Sequence, residues 1–295
     1  MTRQLVFVHG RAQEHKNATE LKAEWVDAWK KGLAKNGLSL PLADADIRFP
    51  YYGQTLYDLA KNKPSDQIAD IIVRGDDVNE KETQFVREYV IEIQKKAGIS
   101  DEQVLEILND PSVERGIQNW KWVRAILTTL DTHVPGASAA SISLVTRDVF
   151  LYLKNPGFQN MIDNGVRSAF TPNVETVVVG HSLGSIVSYN MLRRDGKSLG
   201  WKVPLYVTLG APLAVTHVKD ALKPIQHPSC VTKWFNAMDS RDIVSLYPLD
   251  AAHFAITPAI ENKTNVDNPT SNRHGISGYL SDPVVAKRIY DAVTA

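Results

Sequence analysis

Cysteine is almost absent from this sequence: Cys230 is the single one among 295 residues. One cysteine excludes an internal disulfide and a cysteine-rich zinc site, so we expect Cys230 to pack in a strand as a small apolar residue. Long apolar runs are missing too, and none approaches the ~18 residues that a membrane-spanning helix needs. The first apolar run, residues 5–8, is too short for a signal-peptide core and has no cleavage site of small residues. We therefore expect a cytoplasmic protein without a transmembrane segment.

The sequence also lacks an excess of either charge. Its 33 basic residues balance 33 acidic residues, and no stripe of lysine and arginine stands out. The sequence therefore does not have the concentrated positive charge expected of a protein that binds nucleic acid. The histidines are scattered, without a His-x-x-x-His pair, so we predict no metal site. With 43% hydrophobic residues, the chain can bury the core of one large domain, with or without an insertion.

What the sequence does contain is an alternation of short apolar runs with helical patterns. The predicted strands are residues 5–8, 46–50, 174–179, 203–209 and 230–235. This alternation predicts an α/β fold, with a mostly parallel central sheet and helices on both faces. Ligands of such sheets bind beyond the carboxyl ends of the strands, so we expect the functional residues at that edge.

A long helical segment, residues 54–173, separates the second predicted strand from the third. Within it, Ser100 and Gln103 have the spacing of a helix capping box. We predict that residues 1–53 and 174–295 form the core domain, and that the segment between them is a mainly helical insertion. The insertion would cover the active-site edge as a cap or lid. The alternative is a set of longer helices packed on the sheet.

The strongest motif fits the G-x-S-x-G pattern of a nucleophile elbow and reads Gly180-His181-Ser182-Leu183-Gly184. A β-branched strand precedes the motif, and residues 185–194 predict a helix after it. A serine on such a tight turn is pushed out of the sheet, where a substrate can reach it. Side chains in place of the two glycines would collide with the neighbouring strand or helix. We therefore predict that Ser182 is a nucleophile; the alternative is a Gly-Ser turn that only closes a strand–helix unit.

A serine hydroxyl needs a base at neutral pH, and the base needs a carboxylate that orients it. In folds with this elbow, the chain order is serine, then acid, then histidine. We predict His274 as the base, because it lies in a loop rich in turn-forming residues just before the last predicted helix. His253 is the reserve.

Two aspartates compete for the role of the orienting acid, since both follow the fifth predicted strand. We prefer Asp242, because Ile243 and Val244 come directly after it and can bury and fix the loop. Asp239 is the reserve acid. The aspartate that is not used would be a turn residue bonded to nearby backbone amides, or a partner of Arg241.

A developing oxyanion needs two backbone N–H donors. We predict that one comes from Leu183, directly after the serine, and the other from Arg11, after the first strand. Gly10 would let the backbone approach closely at that point. His9 and His181 flank the two turns, and we expect them to support the loops rather than to titrate during catalysis.

Together these residues resemble the α/β-hydrolase superfamily, in its serine esterase and lipase-like branch. The resemblance covers residues 1–53 and 174–295 and is carried by residues 7–10, 180–184, 208–213, 242–244 and 274. It implies an eight-stranded type of sheet, a Ser-Asp-His triad and no cofactor. Two features depart from the family: the usual leading antiparallel hairpin is missing, and the insertion precedes the elbow instead of following it.

The residues and the resemblance together predict a serine hydrolase that cleaves carboxylic esters through an acyl-enzyme. Its substrate would be a small-molecule or lipid-like ester. The same triad also serves thioesterases, amidases, peptidases and acyltransferases, which stay as alternatives. A further alternative is a hydrolase fold that serves as a non-catalytic binding module.

Overall fold

A single parallel sheet forms the centre of the molecule. The computed structural model describes residues 3–10, 17–52, 80–110, 112–116, 119–134 and 139–295. Its strands are β1 Gln4–Val8, β2 Ile47–Arg48, β3 Thr176–His181, β4 Val203–Leu209, β5 Val231–Ala237 and β6 Glu261–Lys263. They lie in the order β2-β1-β3-β4-β5-β6, and each neighbouring pair is parallel. The predicted α/β class with a parallel sheet is therefore confirmed.

Helices connect these strands. Their bounds are α1 Ala18–Ala34, α2 Glu80–Lys96, α3 Asp101–Leu108, α4 Trp120–His133, α5 Ala139–Lys154, α6 Pro156–Arg167, α7 Leu183–Arg194, α8 Thr216–Ala221, α9 Ile276–Leu280 and α10 Pro283–Thr294. The capping box predicted at Ser100 is present at the start of α3, and Asn17 forms another at the start of α1. Each satisfies backbone N–H groups that the first helical turn leaves without partners.

Helices cover both faces of the sheet, because the strands carry apolar side chains on both sides. In β1, Leu5 and Phe7 join a core with α1, α9 and α10, whereas Val6 and Val8 join the opposite core with α2 to α8. Successive strand residues point to opposite faces, so a strand buried on both sides must be apolar throughout. The predicted helices on both faces are confirmed.

The described helices of the insertion, α2 to α6, pack on the same face of the sheet as α7. Tyr152 of α5, Ile162 of α6 and Ile186 of α7 belong to one buried cluster. Within the insertion, residues 54–79, 111, 117–118 and 135–138 lie outside the described residues. The described part thus contributes to the core of the molecule, and a movement of the insertion as a lid stays a prediction.

A buried polar network ties α5, α6 and α7 together. Tyr152 donates to Asp163 Oδ1 at 2.8 Å, and Arg194 donates to the other carboxylate oxygen at 2.8 Å. Asn190 in turn donates to the Tyr152 hydroxyl at 3.3 Å. Burial raises the pKa of Asp163 above its ordinary value, although the hydrogen bonds from Arg194 and Tyr152 act against that rise. The network fixes the last helices of the insertion against the helix that follows the serine turn.

Two elements differ from the sequence expectation. The strand expected at 46–50 is only Ile47–Arg48, preceded by a 3-10 turn at Asp44–Asp46. The edge strand β6 was not predicted, because its sequence Glu-Asn-Lys has no apolar alternation to signal a strand. No helix of the described part has both the length and the apolar character needed to cross a membrane.

Two helical glycines offer a matched test of this packing. A methyl group on Gly32 of α1 would lie 2.6 Å from Ala286 Cβ and would also collide with the Leu280 carbonyl, whereas one on Gly165 of α6 would meet no atom within 4 Å. We expect Gly32→Ala to lower the free energy of unfolding by about 1–3 kcal/mol through overpacking. Gly165→Ala should raise it by up to about 1 kcal/mol through helix propensity. Urea unfolding measures both, and equal effects of the two variants would contradict the packing of α1 on the C-terminal helices.

Candidate active site

Ser182 lies on a sharp turn between β3 and α7. Its φ of 54° and ψ of −126° are unusual for a residue with a side chain, and the residue is 3% exposed. A Cβ on Gly180 would lie 2.6 Å from Ser188 Oγ, and a Cβ on Gly184 would collide with the Val8 carbonyl oxygen. The turn can therefore form only with glycine on both sides of the motif, as the sequence predicted.

The end of β1 lies directly beside this turn. Val8 pairs with Gly180 in the parallel register, which brings Gly10 next to the serine. A Cβ on Gly10 would lie 2.8 Å from Ser182 Cβ. Leu183 is the first residue of α7, so its N–H has no acceptor within the helix. The other predicted donor, Arg11, lies outside the described residues.

Asp242 and His274 form a buried hydrogen-bonded pair. His274 Nδ1 donates to Asp242 Oδ2 at 2.8 Å, and the Val244 N–H donates to Asp242 Oδ1 at 2.8 Å. Burial by itself would raise the pKa of Asp242, but the charge and hydrogen bond of His274, with those of Tyr279 and Val244, hold this pKa below its ordinary value. The carboxylate is therefore ionised at neutral pH and fixes the orientation of the imidazole.

The imidazole of His274 lines the same cavity as the serine. His274 Nε2 is buried and has no hydrogen-bond partner in the described part of the chain. His274 and Ser182 both line one cavity of about 320 Å³. Because Nδ1 donates to Asp242, Nε2 of the neutral ring carries the lone pair and can accept a proton.

Asp239 has a different set of partners. It accepts hydrogen bonds from the Arg241 N–H at 2.9 Å and from the Asn268 N–H at 3.0 Å, and Arg273 lies 3.6 Å from it. These are the contacts expected of the aspartate that does not orient the base. Since Asn268 and Arg273 belong to the segment that leads to His274, Asp239 holds the loop that carries the histidine.

The two flanking histidines have structural contacts. His181 Nε2 donates to the His274 carbonyl at 2.8 Å, and burial lowers the pKa of His181 to about 3. His9 Nδ1 donates to the Gly10 carbonyl at 2.7 Å, while His9 Nε2 accepts from the Tyr52 N–H at 3.1 Å. Burial lowers the pKa of His9 to about 4. Both rings therefore stay neutral at physiological pH and brace the two turns.

The reserve base His253 lies elsewhere. Its Nδ1 contacts Asp250 Oδ1 at 2.7 Å, and its ring stacks on Tyr247 with centroids 4.9 Å apart. His253 is not among the residues that line the cavity beside Ser182. Of the two candidate histidines, only His274 lies at the serine.

The cavity is mainly apolar. Its apolar wall consists of Leu21, Trp25, Ile142, Leu144, Val145, Ile243, Val244 and Ile276. The first two come from α1, the next three from α5, and the last from α9, so the insertion and both helical layers contribute to the wall. A volume of this size suits a small organic ligand or one acyl chain. Among the residues described, no three histidine, cysteine, aspartate or glutamate side chains are grouped to hold a metal ion.

Sequence reasoning missed two residues that shape the Asp242–His274 pair. Tyr279 donates to Asp242 Oδ2 at 2.6 Å. Gly210 has a φ of 54°, and a Cβ there would lie 3.2 Å from both Asp242 Oδ2 and His274 Cε1. Gly210 follows β4 in a Gly-Ala-Pro turn, which is a signal for a special backbone position. Tyr279 offers no signal, because a tyrosine in a short helix is most simply explained as core.

Searches with the chain against models of known protein families, curated proteins and solved structures found no match.

The buried histidines predict a loss of stability on acidification. An unfolded histidine binds a proton near pH 6.5, whereas folded His181 binds one only near pH 3, so the unfolded state holds more protons between these values. Stability contributed by neutral His181 is therefore present above pH 6.5 and is lost as the pH falls. From pH 7 to pH 5 this loss should amount to about 2 kcal/mol for His181.

Urea unfolding at both pH values measures this effect. Between pH 7 and pH 5, we expect the free energy of unfolding of His181→Asn to fall by about 2 kcal/mol less than that of wild type. The exposed His133 supplies the control, and His133→Asn should retain the wild-type dependence. A parallel decline in all three proteins would show that His181 is not held neutral by burial.

Proposed function

We propose that the protein is a serine hydrolase of the α/β-hydrolase type that cleaves carboxylic esters. The observation that carries the proposal is the buried Asp242–His274 hydrogen bond of 2.8 Å in a cavity wall that also contains Ser182. A strained serine turn at the end of a parallel strand supports it independently. Among the candidate acids and bases in the described residues, the contacts of Asp239 and His253 favour the combination of Ser182, Asp242 and His274.

The proposed reaction begins with attack of Ser182 Oγ on the ester carbonyl, while His274 Nε2 takes the hydroxyl proton. The Asp242 carboxylate stabilises the imidazolium that forms. The Leu183 N–H donates to the oxyanion, and the Arg11 N–H is the proposed second donor. His274 then returns the proton to the leaving alcohol. Water, activated by the same histidine, releases the acid from Ser182.

The cavity wall supports an ester with an apolar acyl group rather than a charged one. Its side chains from α1, α5 and α9 are mainly aliphatic or aromatic, and burial of such a group is favourable by about 25 cal/mol for each Å². A volume of about 320 Å³ favours one chain of modest length over a bulky lipid. A small-molecule ester is therefore the favoured substrate class.

Labelling with a fluorophosphonate probe and release of p-nitrophenol from acetate and octanoate esters test this proposal together. We expect wild type to label and to turn over ester. Ser182→Ala should lose labelling, and Ser182→Ala and His274→Ala should each lose about 10³-fold or more in kcat. Asp242→Asn should fall by at least about 100-fold, because the amide favours the wrong imidazole tautomer.

Two variants serve as matched controls. Ser198 is exposed, and His253 lies away from the cavity, so Ser198→Ala and His253→Ala should label and turn over like wild type. Folding of each variant is checked by circular dichroism. A folded wild type that neither labels nor hydrolyses either ester would contradict the proposal, as would undiminished labelling of Ser182→Ala.

A further inference from the structure

One tyrosine hydroxyl reaches the carboxylate that orients His274. Tyr279 lies in α9 and is fully buried. Its hydroxyl donates to Asp242 Oδ2 at 2.6 Å, the same oxygen that accepts the His274 Nδ1 proton at 2.8 Å. The Tyr279 oxygen also accepts a hydrogen bond from the Asp239 N–H at 3.2 Å. This hydroxyl therefore joins the loops of both candidate acids to the helix that follows the histidine.

The backbone at Gly210 leaves space for the side chains of Tyr279, Asp242 and His274. A Cβ on Gly210 would lie 3.0 Å from Tyr279 Cε2 and 3.2 Å from both Asp242 Oδ2 and His274 Cε1. A side chain at this one position would therefore press on all three residues at once. Glycine adopts the positive φ of position 210 without strain. The absence of a side chain at this position, after β4, leaves space for Tyr279, Asp242 and His274.

We propose that Tyr279 is a positioning residue for the proposed triad. Its hydroxyl holds the Asp242 carboxylate in the orientation that accepts the hydrogen bond from His274 Nδ1. The inference rests on the proposed function. With the Val244 N–H on Oδ1 and two donors on Oδ2, the carboxylate cannot rotate about its side-chain bond without losing hydrogen bonds. A phenylalanine would fill the same apolar space, so packing alone does not require the hydroxyl.

The hydroxyl can act as a donor throughout the working pH range. Burial first, and then the charge of Asp242, raise the pKa of Tyr279 well above its ordinary value. Within the described residues, the other titratable groups that face the pair include His181 from the elbow, Tyr89 from α2, and Asp239. His181 stays neutral down to about pH 3.

The test compares Tyr279→Phe with Tyr152→Phe. Tyr152 is a matched control, because it also donates to a buried aspartate at 2.8 Å but does so in the network of α5 to α7. Without the Tyr279 hydroxyl, the Asp242 charge is less compensated and favours the imidazolium more strongly. The acid limb of kcat/KM should then move up by about 0.5–1 pH unit. We expect kcat to fall about tenfold, with KM within about twofold.

Proton NMR supplies a readout that does not depend on turnover. The proton between His274 Nδ1 and Asp242 should give a low-field resonance, assigned by its loss in His274→Ala. It should shift or broaden in Tyr279→Phe and stay unchanged in Tyr152→Phe. If Tyr279→Phe does not fold, 3-fluorotyrosine at position 279 keeps the shape and is a stronger donor, so the acid limb should move to lower pH.

The outcomes separate this inference from the proposed function. A folded wild type that neither labels nor hydrolyses ester contradicts the proposed function, and the NMR comparison alone then decides whether Tyr279 positions the pair. An active wild type whose Tyr279→Phe variant keeps the same resonance, the same acid limb and the same kcat overturns the inference and leaves the proposed function standing.

Discussion

Backbone segments approach one another closely where β1, β3 and α7 meet, and this approach shapes the serine turn. A side-chain atom on Gly184 would collide with the Val8 carbonyl oxygen, and one on Gly10 would lie 2.8 Å from Ser182 Cβ. This contact holds the serine turn against the end of the neighbouring strand and keeps Ser182 at a positive φ. The neighbouring strand ends bring the other side chains of the proposed triad to the same edge, since parallel strands end together.

Electrostatics at the site follow from burial. His9 and His181 are enclosed so completely that they remain neutral. The two ring nitrogens of His9 bond to the backbone of Gly10 and Tyr52, and His181 Nε2 donates to the His274 carbonyl. Asp242 is enclosed as well, yet it keeps its charge because donors surround it. At the same edge, His274 Nε2 is buried and has no hydrogen-bond partner among the described residues. The charge of each group thus follows from the cost of burial set against the hydrogen bonds that the group receives. This balance keeps the supporting histidines neutral and the proposed orienting aspartate charged.

Much of this arrangement could be predicted from the sequence, because local signals and chain order were both strong. The β-branched run before the elbow and the alternation of apolar runs with helical patterns predicted the sheet and its covering helices, since a strand buried on both faces must be apolar. The choice of His274 followed from chain order and loop composition. The structure now brings His274 to Ser182, while its role in a reaction stays a prediction.

The features that the sequence did not reveal depend on contacts between distant residues. The preference for Asp242 over Asp239 was argued from the apolar residues that follow Asp242. The contact that distinguishes the two aspartates is the hydrogen bond from His274, which lies 32 residues further along the chain. Tyr279 reaches Asp242 across a separation of 37 residues, and no local pattern encodes that distance. The packing of the insertion on the same face of the sheet as α7 also depends on tertiary contacts. The pattern of an amphipathic helix shows which of its sides is apolar, but not which surface that side covers.

In the proposed reaction, Ser182 carries the acyl group during turnover. Enzyme mixed with p-nitrophenyl octanoate and quenched in acid can be digested, and the acylated peptide located by mass spectrometry. We expect an octanoyl group on Ser182 of wild type, and no octanoyl group on His274→Ala quenched in the same way. An octanoyl group on a different residue, or ester turnover with no acylated peptide at all, would contradict it.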